Sequence, residues 1–157
     1  HLEPLITLQL EMLPGVKSLH ELIASRFQPE PCDNDFICSH GECRARGTHT
    51  KRCQIARWPQ LLVVHLKRWR FDTRTQCRTK IDQFVDFPVT YNISSDTTYT
   101  LRSIVVNRGR ANAGHYFAFV RDEGHGWLYY NDARTPAPTL VSVVLKQCPY
   151  LLFYERD

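Results

Sequence analysis

Two aromatic runs, HYFAFVR at 115–121 and WLYY at 127–130, are separated only by a short segment carrying Gly124 and Gly126. Runs of this composition read as strands, and so short a glycine-bearing connection reads as a hairpin turn. Pairing them across residues 122–126 brings the strand ends, His115 and Asn131, side by side. An amide oxygen beside an imidazole can accept its Nδ1–H, which fixes the tautomer and leaves Nε2 free as a base. A surface histidine at a strand end, with no chemical role, has the same spacing. Taken alone, the pair does not decide between the two.

Strand signals recur along the chain. Residues 5–13 alternate apolar and polar, and LLVVHLKRW at 61–69 is a β-branched apolar run that predicts a buried central strand. In that run Lys67 and Arg68 mark the exit from the core, and His65 reads as a hydrogen-bonded core histidine. Residues 79–87 predict a further strand ended by Pro88, residues 99–106 another, and YLLFY at 150–154 a closing strand. NRGRANAG at 107–114 reads as a polar loop, and 139–147 fits helix or strand. One short helix is predicted over 18–27, where Ser18 and Glu21 form a capping box ahead of Leu19, Leu22 and Ile23. Strands outnumber helices in an α+β arrangement.

Ordinary globular composition, 43% hydrophobic and 23% charged, excludes a wholly disordered chain. No apolar stretch is long enough to span a bilayer, so no membrane association is expected. The opening His1-Leu2-Glu3-Pro4 has neither an initiator Met nor a signal-peptide pattern, so a piece of a longer product is expected. Residues 44–80 hold eleven Lys and Arg against one acid, Asp72, within a chain of net charge +4. Aromatic side chains are sparse there and no nucleic-acid motif appears. A solvated strand face and loop is the reading, and no nucleic-acid partner is expected. Of six cysteines, Cys32, Cys38, Cys43 and Cys53 cluster with His40 and His49 in a polar segment at 32–57. In a reducing compartment such clustering points to metal rather than disulfides. Cys77 and Cys148 read as structural or incidental.

Several blocks, taken in order, resemble the ubiquitin-specific proteases, which are papain-like cysteine deubiquitinases. GHYFAFVR at 114–121 followed by WLYYND at 127–132 is similar to the family's histidine box. WPQLLVVHLKRW at 58–69, FVDFP at 84–88, LRSIVVNRG at 101–109 and YLLFYER at 150–156 match further family blocks, so the resemblance covers nearly the whole chain. It implies a papain-like α+β fold, here its strand-rich C-terminal palm and fingers portion with a mostly antiparallel sheet. Residues 1–157 would be the C-terminal part of the catalytic domain, and 32–57 its finger-like segment.

What the resemblance implies about chemistry is specific. His115 matches the general base, Asn131 the orienting residue and Asp132 the neighbouring acid. Asn107, Gly109, Gly114 and Tyr116 match the stretch flanking the ubiquitin tail, where a diglycine needs close backbone approach. Cys38 and Cys43 match the second finger pair, opened to CxxxxC. A structural zinc would need Cys32 or Cys53, or His40 or His49, to complete it; catalysis requires no cofactor. Arg108 stands where histidine is usual, and Trp69 and Tyr130 where phenylalanine is usual. The family's nucleophile box, GNTCYxNS, has no counterpart in the sequence. The expected function is hydrolysis of the (iso)peptide bond after the C-terminal glycine of ubiquitin. The nucleophile would lie outside this chain, the N-terminal half of the domain would be a partner, and this chain would be inactive alone. A catalytically dead ubiquitin-binding or scaffolding module is the alternative. The implied compartment is cytoplasm, nucleus or both.

Overall fold

Among the described residues, eight strands share one sheet. The computed structural model describes residues 4–32, 37, 49–110 and 113–157, with only the backbone described at 110. The sheet strands are β1 (Leu8–Glu11), β4 (Leu61–Lys67), β7 (Thr90–Ser94), β8 (Thr97–Arg110), β9 (Ala113–Asp122), β10 (Gly126–Tyr130), β11 (Ala137–Thr139) and β12 (Pro149–Arg156). Two small ribbons stand apart, β2 (Glu30–Pro31) with β3 (Thr50–Lys51), and β5 (Trp69–Asp72) with β6 (Cys77–Lys80). The helices are α1 (Leu19–Arg26) and α2 (Val141–Val144). The sheet order is β1–β4–β12–β8–β9–β10–β11, with β7 also paired to β8; among the described residues only β1 and β4 run parallel, and every other ladder is antiparallel.

The sheet's order follows from where apolar side chains must go. In β4, Leu62, Val64 and Leu66 are buried while Leu61, Val63, His65 and Lys67 are not, so one face carries the core. β12, last in sequence, lies centrally between β4 and β8 because Leu152 and Tyr154 continue that same face. Leu101, Ile104, Val106, Phe117, Phe119 and Trp127 extend the core across β8, β9 and β10. Leu19, Leu22 and Ile23 of α1, Val85, Phe87 and Val144 of α2 join the same cluster. The buried Tyr154 hydroxyl donates to the Pro88 carbonyl at 2.7 Å, and burial pushes its pKa upward.

Helix α1 begins as its sequence predicts. Ser18, in an extended conformation, accepts from the Glu21 amide at 3.3 Å. The Glu21 carboxylate reaches one residue further back than a standard capping box and accepts from the Lys17 amide at 3.2 Å.

Five expectations need correction. Residues 79–87 are not one strand. Cys77–Lys80 pair with β5, and residues 81–87 then run outside any ladder except a bridge from Ser18 to Asp86. The cause is Arg68, which does not mark an exit from the core but is itself 1% exposed. Its Nε donates to the Pro149 carbonyl at 2.6 Å, and its Nη1 donates to the Ile81 and Gln83 carbonyls at 2.9 and 2.7 Å. Carbonyls that a strand would aim at a neighbour are taken by one guanidinium. Nor is 107–114 a loop, since β8 and β9 pair as far as Arg110 and Ala113. His65 packs edge-on against Tyr150 with centroids 4.6 Å apart, but its buried Nε2 has no hydrogen-bond partner among the described residues. Finally, the basic stretch is not a solvated face throughout. Among the described residues Arg68 is internal and the Lys80 side chain, paired with Asp82 at 2.9 Å, is largely buried, while Lys51, Arg52, Arg57, Arg70, Arg74 and Arg78 are exposed as expected.

Residues 139–147 resolve into the end of β11 and the single helical turn α2. Among the described residues no helix is long and apolar enough to cross a membrane.

Candidate active site

The β9–β10 hairpin has the predicted turn, with Gly126 opposite Asp122 and Tyr130 opposite Ala118. Continued past the last pair, this register sets Asn131 against position 117, two residues along β9 from His115. The side chains close that diagonal: His115 Nε2 lies 2.5 Å from Asn131 Oδ1. The nitrogen engaged is therefore Nε2, not the Nδ1 that the sequence argument assigned. Nε2–H donates to the amide oxygen, and Nδ1 is left with no partner among the described residues.

The orienter is itself held. Asn131 Nδ2 donates to the Tyr129 hydroxyl at 3.0 Å, which fixes which end of the amide faces the imidazole. Phe117 stacks against the His115 ring, with centroids 6.5 Å apart and planes 27° apart. It also packs against Tyr129 at 5.5 Å. Sequence reasoning missed Phe117 and Tyr129. The signal was available in strand periodicity, since 115 and 117, like 129 and 131, fall two apart. Asp132 is more distant, with Oδ2 3.8 Å from His115 Nε2 and a side chain 74% exposed, and its backbone has a φ of +50°.

The remaining predicted residues divide between the two faces of the sheet. Asn107 and Tyr116 are register partners, as are Arg108 and His115. Successive side chains alternate, so Asn107 and Tyr116 share the face opposite His115. Asn107 is 5% exposed, and its carbonyl accepts from Lys80 Nζ at 2.8 Å. Its Oδ1 is buried without a partner among the described residues. Tyr116 is half-exposed and meets Tyr150 edge-on at 5.8 Å. Gly109 and Gly114 are directly opposite each other. Gly109 has a φ of +115°, and a Cβ there would lie 2.5 Å from the Ala113 carbonyl oxygen, so this tight crossing of backbones requires glycine.

No cysteine of the described residues is within hydrogen-bonding reach of His115. Cys148 Sγ instead donates to the Asp82 carbonyl at 3.7 Å, and Cys77 begins β6. Cys38 and Cys43 lie outside the described residues. Of the other candidate ligands, the Cys32 amide donates to the His49 carbonyl at 2.8 Å, so these two residues are neighbours across the β2–β3 ribbon. Cys53 lies beyond the other end of that ribbon, where Arg52 Nε donates to the Phe27 carbonyl at 3.3 Å. Among the described residues no three metal-binding side chains converge.

The family model described as ubiquitin carboxyl-terminal hydrolase matches residues 15–154. The chain belongs to this family. It is 31% identical to ubiquitin carboxyl-terminal hydrolase 8 of Saccharomyces cerevisiae, over 98% of this chain and 35% of that protein. It is 30% identical to human ubiquitin carboxyl-terminal hydrolase 3, over 88% of this chain and 28% of that protein. The chain thus spans about a third of the length of these relatives. Among solved structures, it resembles a chain in the SAGA DUB module of Ubp8, Sgf11, Sus1 and Sgf73 bound to monoubiquitin. The TM-score is 0.88 at 32% identity, covering 99% of this chain and 36% of that one. The same module bound to ubiquitin aldehyde matches with a TM-score of 0.85 at 30% identity, covering 98% of this chain and 36% of that one. The strand-rich, mostly antiparallel fold is that of a ubiquitin-specific protease catalytic domain.

Proposed function

We propose that this chain forms the C-terminal, base-bearing part of a cysteine deubiquitinase that cuts the bond after ubiquitin's C-terminal glycine. The observation that carries the reading is the His115–Asn131 contact, braced by Tyr129 and Phe117. An imidazole whose Nε2–H is tied to an amide oxygen presents a lone pair at Nδ1. Nδ1 removes the thiol proton of a cysteine supplied by a segment outside this chain. The thiolate attacks the glycine carbonyl, and the resulting imidazolium returns its proton to the leaving amine, giving a ubiquitin thioester. Water, deprotonated by the same nitrogen, then hydrolyses the thioester to the free carboxylate. Asn131 stabilises the imidazolium without taking its proton. Asp132 adds a weaker, solvent-screened field. The ubiquitin complexes of the structural neighbours support ubiquitin as the substrate; Gly109, Gly114, Asn107 and Tyr116 are proposed, on the family resemblance alone, as its tail-binding residues.

Without its nucleophile the chain is inactive by itself, and the N-terminal part of the domain is its obligate partner. The cytoplasm and nucleus are the compartments in which this activity is placed. A structural zinc would be held by Cys38 and Cys43 together with Cys32 and either Cys53 or His49, the latter being the neighbour of Cys32 across the β2–β3 ribbon. It would hold the finger closed and take no part in the chemistry. Metal analysis of purified protein tests this: one zinc per chain, lost in Cys32→Ser, is expected.

The absence of a thiol beside His115 among the described residues favours a second reading, a ubiquitin-binding module without catalysis. Hydrolysis of a fluorogenic ubiquitin C-terminal amide separates the two. Turnover only when the N-terminal part is added, abolished by His115→Ala, is the expected result. No turnover with ubiquitin binding retained would establish the binding module.

A further inference from the structure

Arg108 faces the same side of the sheet as its register partner His115, and its guanidinium carbon lies 5.1 Å from the centroid of the Phe117 ring. That stacking pins a permanent cation beside the base. No hydrogen bond or ion pair to this guanidinium forms among the described residues. Arg108 also forms one wall of a cavity of about 310 Å³, together with Phe117, Phe119, Tyr129, Pro138 and Gln147. Among the described residues, no acidic side chain lines this cavity. Two of its walls, Phe117 and Tyr129, are the residues that brace His115 and Asn131. An aromatic-floored cavity with one uncommitted guanidinium is suited to a carboxylate.

We infer that Arg108 and this cavity bind an acidic residue next to the ubiquitinated lysine on the leaving protein. This specificity site rests on the deubiquitinase reading and goes beyond it. His115 must come within hydrogen-bonding distance of the leaving lysine nitrogen to protonate it. Directly opposed residues of an antiparallel pair have Cα atoms about 5 Å apart, and an extended peptide advances about 3.3 Å per residue. With the lysine nitrogen at His115 and its four-carbon stem lying along the surface, a side chain one or two positions away in the leaving peptide is within reach of the neighbouring Arg108 guanidinium. A carboxylate there meets the guanidinium, whereas a basic residue meets repulsion.

The test uses the assembled enzyme, with its nucleophile-bearing part, on ubiquitin joined through a lysine side chain to otherwise identical peptides. The residue beside the lysine is aspartate, asparagine or arginine. The expected kcat/KM order is aspartate, asparagine, arginine. Aspartate should exceed asparagine by about three- to tenfold at low salt, with the gap narrowing as salt is raised. Arg108→Gln should reduce the ratio to near one, and Arg108→Lys should keep part of it. Loss of overall structure would lower all rates together and leave the ratio unchanged, so the ratio reads Arg108 alone. Equal rates for the three conjugates in the unsubstituted enzyme, or a preference that survives Arg108→Gln, overturns the inference while leaving the deubiquitinase reading intact. Failure to cleave any conjugate overturns the deubiquitinase reading and this inference with it.

Discussion

Replacing Arg68 by methionine tests the claim that one buried guanidinium organises the junction of three chain segments. The side chain is 1% exposed and supplies three hydrogen bonds, to Pro149, Ile81 and Gln83 carbonyls, at 2.6 to 2.9 Å. Methionine fills much of the same volume, so the main loss is the partners of three acceptors, one buried and two part-buried. At about 1 kcal/mol for each orphaned carbonyl, Arg68→Met should destabilise the folded domain by about 3 kcal/mol. Alanine adds a cavity and should cost about 4–5 kcal/mol. Lysine, a point charge that cannot bridge three carbonyls, should lose about 1–2 kcal/mol. For a domain of this size, 3 kcal/mol corresponds to a fall in Tm of about 6–12 °C. The damage should also be local. Residues 81–87 have almost no ladder of their own, so backbone amide exchange should accelerate there and at the start of β12, before the β8–β9 ladder responds. Scanning calorimetry and native-state exchange on the assembled domain measure both. A Tm within about 2 °C of the unsubstituted protein, with unaltered exchange over residues 81–87, would refute the reasoning.

Asn131→Ala removes the contact to His115 Nε2 and should lower kcat of the assembled enzyme by about 10–100-fold with little change in KM, read by steady-state kinetics. Asp132→Ala, acting on an exposed carboxylate 3.8 Å away, should change kcat less than about threefold in the same assay. Gly109→Ala forces a Cβ to 2.5 Å from the Ala113 carbonyl at a φ of +115°, so circular dichroism melts should show a loss of at least about 1–2 kcal/mol. His65 is held below its ordinary value of 6.5 by burial first and by Lys67 second. The unfolded chain therefore takes up this proton before the native one, and stability present above pH 6.5 falls as the pH is lowered through that value. Urea midpoints at pH 7 and pH 5.5 should diverge less in His65→Phe than in the unsubstituted chain.

Much was legible in the sequence because it depends on local periodicity. Alternation gave β1, apolar and aromatic runs gave β4, β9 and β10, Ser18 gave the start of α1, and the short turn at 122–126 brings Asn131 toward His115. These features need only steric preference and the separation of apolar from polar side chains along a few residues. Charge and composition gave no comparable guide to position. Arg68 looked like a solvent residue because cations usually are, yet it is internal, since carbonyls from residues 81, 83 and 149 converge on it from far along the chain. The polar, glycine-bearing residues 107–114 looked like a loop, yet they continue a ladder whose strands are already aligned by the core residues behind them. Which imidazole nitrogen meets Asn131 was equally beyond the sequence. Strand pairing brings the two residues together, but the ring's orientation is set by the stack on Phe117 and by the Tyr129 hydroxyl. The sequence by itself determined β1, β4, β9, β10, β12 and the start of α1, with the residues at the ends of the β9–β10 hairpin. The tertiary structure alone decided which buried polar groups found partners, because those partners are brought together only when the whole sheet closes.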